Sequence, residues 1–195
     1  MLNNSLTEPA LIGLAYLLGS IPTALWVCHS MGIPDPRQQG SKNPGASNVL
    51  RIGNRRAALF TLLGDISKGA LAVSLVLWTQ PSATLVTLSV LAAFLGHLYP
   101  LFGAYRGGKG VAIFLGCTLC LSPALLLVQL LIWASVFALT RIASLASVAL
   151  ALSTPLAAWY LAPEWLSLVS LIGLLLIARH RDNLVSLWRG QEHRF

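Results

Sequence analysis

Between residues 40 and 51 the chain reads Gly-Ser-Lys-Asn-Pro-Gly-Ala-Ser-Asn-Val-Leu-Arg, a polar run set between apolar stretches. Its residue types suit a cradle for phosphate. Glycines tolerate positive φ and let backbone approach an anion closely, while hydroxyl, amide and guanidinium groups donate hydrogen bonds. The candidate ligands are Gly40, Ser41, Asn43, Gly45, Ser47, Asn48 and Arg51, and the arginine can hold a phosphate bidentately. A solvated connector rich in turn formers would share this composition. A second run, Gly107-Gly108-Lys109-Gly110, opens an apolar segment, and glycine N–H groups at a helix start beside a lysine form an anion site. From Gly103 onward it nearly matches a nucleotide-binding loop. Gly110, however, stands where that loop needs a magnesium-binding hydroxyl, and an apolar span precedes it instead of a strand, which excludes ATP. His180 and Asn183 follow the last apolar run, one turn apart if that helix continues, and both can donate to an anion. An interfacial tail near lipid headgroups would use the same residues. Glu192, after Gly190, reads as a tail anchor.

Three further residues are candidates for support. Asp65 and Lys68 stand at i and i+3 inside an apolar span, share a helix face and should pair, because intramembrane charges are costly alone. His97, just before Tyr99-Pro100, fits a packed, hydrogen-bonded position better than a catalytic one. Cys28, Cys117 and Cys120 lie in or beside apolar segments and read as small hydrophobes. No metal-ligand cluster is apparent, and none of the four histidines is followed by an acid five positions on, so the His-x4-Asp arrangement is absent. No metal and no cofactor are expected.

The elements that must position these residues are membrane spans. Hydrophobic residues make up 56% of the 195 and charged ones only 10%, too little polar surface for a soluble domain of this length. Apolar runs near 9–29, 57–79, 82–102, 111–122, 123–139, 142–161 and 164–178 predict seven transmembrane helices in an all-α polytopic protein with one integral-membrane domain, 1–195. Residues 1–8 carry no Lys or Arg, so no basic signal region is apparent and the first run should persist. With the N-terminus outside and the C-terminus cytoplasmic, Arg37, Lys42, Arg51, Arg55, Arg56, Arg106, Lys109, Arg141 and the four tail arginines all fall inside, as positive charge prefers. A single crossing by 111–139 would put Arg141 and the tail outside. Twelve of the thirteen cations lie in short loops or the tail beside apolar spans, which also excludes a nucleic-acid partner. This topology brings all three polar motifs to the cytoplasmic face.

Taken together, Gly19-Ser20-Ile21-Pro22, Gly40 through Arg51, Gly64-Asp65-x-x-Lys68-Gly69, Gly96-His97-x-x-Pro100, Gly107 through Gly110 and His180-x-x-Asn183 before Gly190-x-Glu192 resemble the bacterial acyl-phosphate-dependent glycerol-3-phosphate 1-acyltransferases, the PlsY family. Lys42 and Ser47 stand where many members have glycine and threonine. The resemblance implies seven helices in the bacterial plasma (inner) membrane with the active site at the cytoplasmic face. It implies that acyl phosphate and glycerol 3-phosphate are the substrates, that membrane lipid is the setting, and that lysophosphatidic acid and inorganic phosphate are the products. It makes Ser41, Arg51, Lys109, His180 and Asn183 counterparts of the family's functional residues, with Ser41, His180 and Asn183 nearest the chemistry. An acyl phosphate carries its own leaving group, so direct attack by the glycerol hydroxyl needs no acyl-enzyme. A membrane carrier for an organic phosphate, keyed on the Asp65–Lys68 pair, is the alternative reading, and a lipid-binding scaffold is a third.

Overall fold

A computed structural model of the chain describes residues 4–102 and 106–195, with side chains from Thr7 onward. The described residues form ten α-helices, one 3-10 turn and no strand. They fall into two compact units, the first ending at Cys120 and the second running from Leu121 to Phe195.

In the first unit, α1 (Asn4–Gly19) and α2 (Thr23–Ser30) divide the run expected as one segment over 9–29. Pro22 explains the division, because the residue before a proline is driven out of helical geometry. Then come α3 (Ala46–Arg51), α4 (Arg55–Leu77), α5 (Ala83–Leu98) and α6 (Val111–Leu121), whose last residue belongs to the second unit. Side chains begin two of these helices: Asn54 accepts from the Ala57 N–H at 2.8 Å, and Ser82 from the Leu85 N–H at 3.1 Å. Helix α1 packs chiefly on α5, and α4 touches both. The α1–α5 contact is tight, since a Cβ on Gly19 would strike the Ala93 carbonyl and one on Gly96 the Tyr16 carbonyl. Such small-residue contacts are how helices associate where lipid offers no hydrophobic gain.

The second unit contains α7 (Pro123–Thr140), α8 (Ala143–Leu161), a 3-10 turn at Pro163–Trp165, α9 (Leu166–Arg179) and α10 (Arg181–Trp188). Ser122 is extended and caps α7, so residues 111–139 are two helices and not one. Helix α8 packs between α7 and α9, and α10 touches α8 and α9. Polar groups point inward here: Gln129 donates to Thr154 at 3.3 Å and Trp133 to Ser147 at 3.2 Å. Leu131, Leu139, Leu156 and Tyr160 face outward. Apolar outside and hydrogen-bonded inside is the arrangement a bilayer selects.

By length and composition, Thr7–Ser30, Arg55–Leu77, Pro123–Thr140 and Ala143–Leu161 can each cross a membrane. Pro163–Arg179 with Arg181–Trp188, bent by 55° at His180, makes a fifth candidate. Ala83–Leu98 and Val111–Leu121 are apolar but shorter. Among the described residues, length and composition thus give four to five candidate spans.

Candidate functional site

The polar loop is built around one side chain. Asn48, in α3 and 2% exposed, donates to the Pro36 carbonyl at 2.7 Å and the Gln39 carbonyl at 3.0 Å. Its amide oxygen accepts the Ser41 N–H at 2.8 Å. Expected among the phosphate ligands, Asn48 has both amide hydrogens committed to the Pro36 and Gln39 carbonyls, and so it shapes the loop. Gly40 sits at φ +58°, and a Cβ there would collide with the Asn48 amide oxygen, so the turn requires glycine twice over. Asp35 and Arg37 close the loop's other end through a 2.7 Å ion pair. Hydrogen bonding from Arg37 holds the Asp35 carboxyl below its ordinary range.

Ser41 and Ser47 are exposed, and Asn43 and Gly45 are half-buried. Arg51 ends α3, with its stem beside Gly40, and its Nε is buried with no hydrogen-bond partner among the described residues. A buried guanidinium nitrogen left orphaned is costly and calls for an anion or water. Lys42 adopts φ +59°, a conformation that costs a non-glycine residue about 1–2 kcal/mol. Lys42→Gly should therefore raise stability by up to about 1 kcal/mol after glycine's own entropic cost, read as a higher Tm. Turnover should stay near the parent's. A loss as large as that expected for Arg51 variants would put the Lys42 charge in the site.

The glycine run over 107–110 forms a strap across the end of α5. The Gly107 N–H donates to the Leu98 carbonyl at 3.2 Å, and Gly107, Gly108 and Gly110 are buried while Lys109 is half-buried. Gly103 to Tyr105, the start of the rejected nucleotide-loop match, lie outside the described residues. A recess in the first unit brings the first two motifs together: Pro44 from the loop and Gly107 and Gly108 from the strap line it, with Asp65, Lys68, His97 and Arg106. Ser41, Arg51 and Lys109 do not line it. Asp65 pairs with Lys68 at 2.8 Å, and Lys68 also donates to the Ile21 carbonyl at 2.8 Å, in the break between α1 and α2.

In the second unit the chain bends by 55° at His180, and a new helical turn starts there, with the Leu184 N–H donating to the His180 carbonyl at 2.9 Å, so His180 and Asn183 stand at the start of α10. His180 is 3% exposed, and its Nδ1 donates to the Leu176 carbonyl at 2.8 Å. That bond takes up the Nδ1 hydrogen, and Nε2 is the ring's other polar atom. Gly190 at φ +67° ends α10, with the Gln191 N–H bonded to the Ser186 carbonyl at 2.8 Å and the Gly190 N–H to Leu187 at 3.0 Å. This paired closure turns the tail back on the helix. It delivers Glu192 to Ser144 at 3.1 Å and to the Asn183 amide at 2.9 Å. Glu192 is thus an anchor, and it orients Asn183. Ser144 gave no sequence signal, since a lone serine near a helix start looks like any cap.

The described residues are thus those of an all-helical protein with helices long and apolar enough to cross a membrane, and its first unit presents glycine-rich, cationic loops. The profile of the family Glycerol-3-phosphate acyltransferase matches residues 10–190. Among relatives, proteins called glycerol-3-phosphate acyltransferase from Laribacter hongkongensis and Haemophilus ducreyi are 48% and 47% identical to the chain, each covering 97% of it and 96% of the relative. The crystal structure of PlsY, an integral membrane glycerol 3-phosphate acyltransferase, in its glycerol 3-phosphate form matches with a TM-score of 0.90. The identity is 35%, covering 97% of this chain and 96% of that one. The lysophosphatidic acid form matches at 0.88 with 34% identity, covering 97% and 95%. The chain belongs to the glycerol-3-phosphate acyltransferase family.

Proposed function

We propose that the chain transfers an acyl group from acyl phosphate to the 1-hydroxyl of glycerol 3-phosphate, giving lysophosphatidic acid and inorganic phosphate. The observation that carries this reading is the near-complete likeness to PlsY, a protein crystallised in glycerol 3-phosphate and lysophosphatidic acid forms. Both substrates are anions, and the first unit holds an orphaned arginine nitrogen and a glycine strap carrying a lysine. Arg51, Lys109 and loop N–H groups neutralise phosphate charge, with Asn48 holding the loop in shape. The hydroxyl of glycerol 3-phosphate attacks the acyl carbon, the C–O bond to phosphate breaks, and phosphate departs with the electron pair. Holding both reactants in register supplies much of the acceleration. Ser41 and Asn183 orient and donate, His180 binds phosphate or assists proton transfer, and an oxygen of the departing phosphate takes the hydroxyl proton. The test is release of inorganic phosphate from acyl phosphate by purified protein. Dependence on glycerol 3-phosphate supports acyl transfer, whereas a carrier or a scaffold releases none.

The same reading places seven crossings in a bacterial inner membrane, with the N-terminus outside and the active site cytoplasmic. The Phe195 N–H donates to the Arg141 carbonyl at 2.9 Å, so the tail and the α7–α8 turn occupy one end of the second unit. This supports putting Arg141 and the tail arginines on one membrane face, in keeping with the preference of positive charge for the inside. Single cysteines at Gln80, Ala124 and Pro163, in a chain lacking Cys28, Cys117 and Cys120, should react with an impermeant reagent from outside. Cysteines at Lys42, Arg141 and Gly190 should react only from the cytoplasm. Positions 124 and 141 reacting from the same side would refute seven crossings.

A further inference from the structure

Asp65, Lys68 and His97 are each no more than 6% exposed, yet they bring two full charges and an imidazole into the apolar interior. Burying such a cluster is expensive unless its geometry is put to use. Its contacts tie together the α1–α2 break, α4, α5 and the glycine strap, all of which line the recess. Lys68 holds the Ile21 carbonyl where α1 breaks, Asp65 lies on α4, and His97 sits in the last turn of α5 with Nδ1 3.6 Å from the Asp65 carboxylate. The opposite edge of the imidazole abuts the strap, since a Cβ on Gly108 would collide with His97 Nε2 and one on Gly107 with the His97 carbonyl.

We propose that His97 is a positioning residue for substrate phosphate. Its Nε2 edge sets the height of the Gly107–Gly108 strap, and hence of Lys109, while Asp65, itself held by Lys68, fixes the ring. The inference rests on the reading of Lys109 as a phosphate ligand. The imidazole touches no reacting atom and acts through the strap. A wholly structural role would lower stability and active fraction together, without selective change in one substrate's KM. A positioning role changes KM for the substrate whose phosphate the strap receives.

The experiment compares purified full-length His97→Gln, His97→Asn, Gly108→Ala, His97→Asn/Gly108→Ala and Lys109→Ala, with KM measured separately for glycerol 3-phosphate and acyl phosphate. Lys109→Ala identifies which KM reports on the strap. Glutamine can place a polar atom near the Nε2 position, whereas asparagine reaches only as far as Nδ1. His97→Asn should raise the reporting KM about 10- to 100-fold, the scale on which displacing a binding group by an ångström acts. His97→Gln should restore most of the loss. Gly108→Ala should raise the same KM in the parent but add little in the asparagine background, because the colliding edge is gone. Asparagine and glutamine acting alike, or additive effects of positions 97 and 108, would overturn the inference while leaving Lys109 in the site. Lys109→Ala changing neither KM would overturn the phosphate reading of the strap, and this inference with it.

Discussion

Arg51→Ala should lower turnover efficiency about 10- to 150-fold or more, the equivalent of roughly 1.5–3 kcal/mol of charge-assisted hydrogen bonding removed from the transition state. The expectation follows from a guanidinium Nε that is buried without a partner in a loop whose shape is otherwise fully specified. Arg51→Lys should recover only part of the loss, because a point charge cannot reproduce the planar fork. Arg189→Ala provides the contrast: Arg189 is an exposed residue at the end of α10, and its loss should matter little. Steady-state kinetics of the three variants decide the matter. Equal effects at positions 51 and 189 would reduce both arginines to general membrane electrostatics.

Asn48→Ala should act on the same site through the loop's shape. It removes three hydrogen bonds, to Pro36, Gln39 and Ser41. At about 0.5–1.5 kcal/mol each, and more where a buried partner is left unsatisfied, the loop should lose roughly 2–4 kcal/mol. Ser41 and Arg51 then lose their fixed positions, and turnover should fall at least about 10-fold. Trypsin should cut the variant faster after Arg37 and Lys42 than it cuts the parent, while helix content changes little. Unaltered cleavage together with lost activity would mean that Asn48 meets substrate directly.

What the sequence disclosed and what it withheld divide along physical lines. Apolar runs bounded by glycine, proline or charge marked the helices well, because a membrane span is a local property of composition. The division of the first run was legible in Pro22, although a continuous run of hydropathy argued for one helix. The ion pair of Asp65 with Lys68 followed from i, i+3 spacing on one face. Their other contacts did not: Ile21 and His97 come from other helices, and no local pattern announces a partner across a helix interface. Composition likewise told that the 40–51 loop held donors, but not which way each pointed. Asn48 turns inward, whereas the exposed Ser41 and Ser47 remain at the surface. Asn183 and Glu192 meet because Gly190 closes α10 in a left-handed turn, and the bend at His180 had no local sequence signal. The family resemblance reached further than any single motif, since it rested on the order of six motifs along nearly the whole chain.

Under the proposed function, a phosphate-bearing acyl donor should react in a cationic, glycine-lined cradle without acyl-enzyme or metal. An acyl phosphate carries its phosphate directly on the reacting carbonyl, so a cradle that holds that anion would also place the acyl carbon. The most direct measurement is lysophosphatidic acid formation by purified protein from glycerol 3-phosphate, with chelator present, offered acyl phosphate, acyl-CoA or acyl-carrier protein as donor. Product should form from acyl phosphate, and the two thioesters should be poor or inert. Acyl-CoA working as well as acyl phosphate, or activity abolished by chelator and restored by metal, would contradict the account.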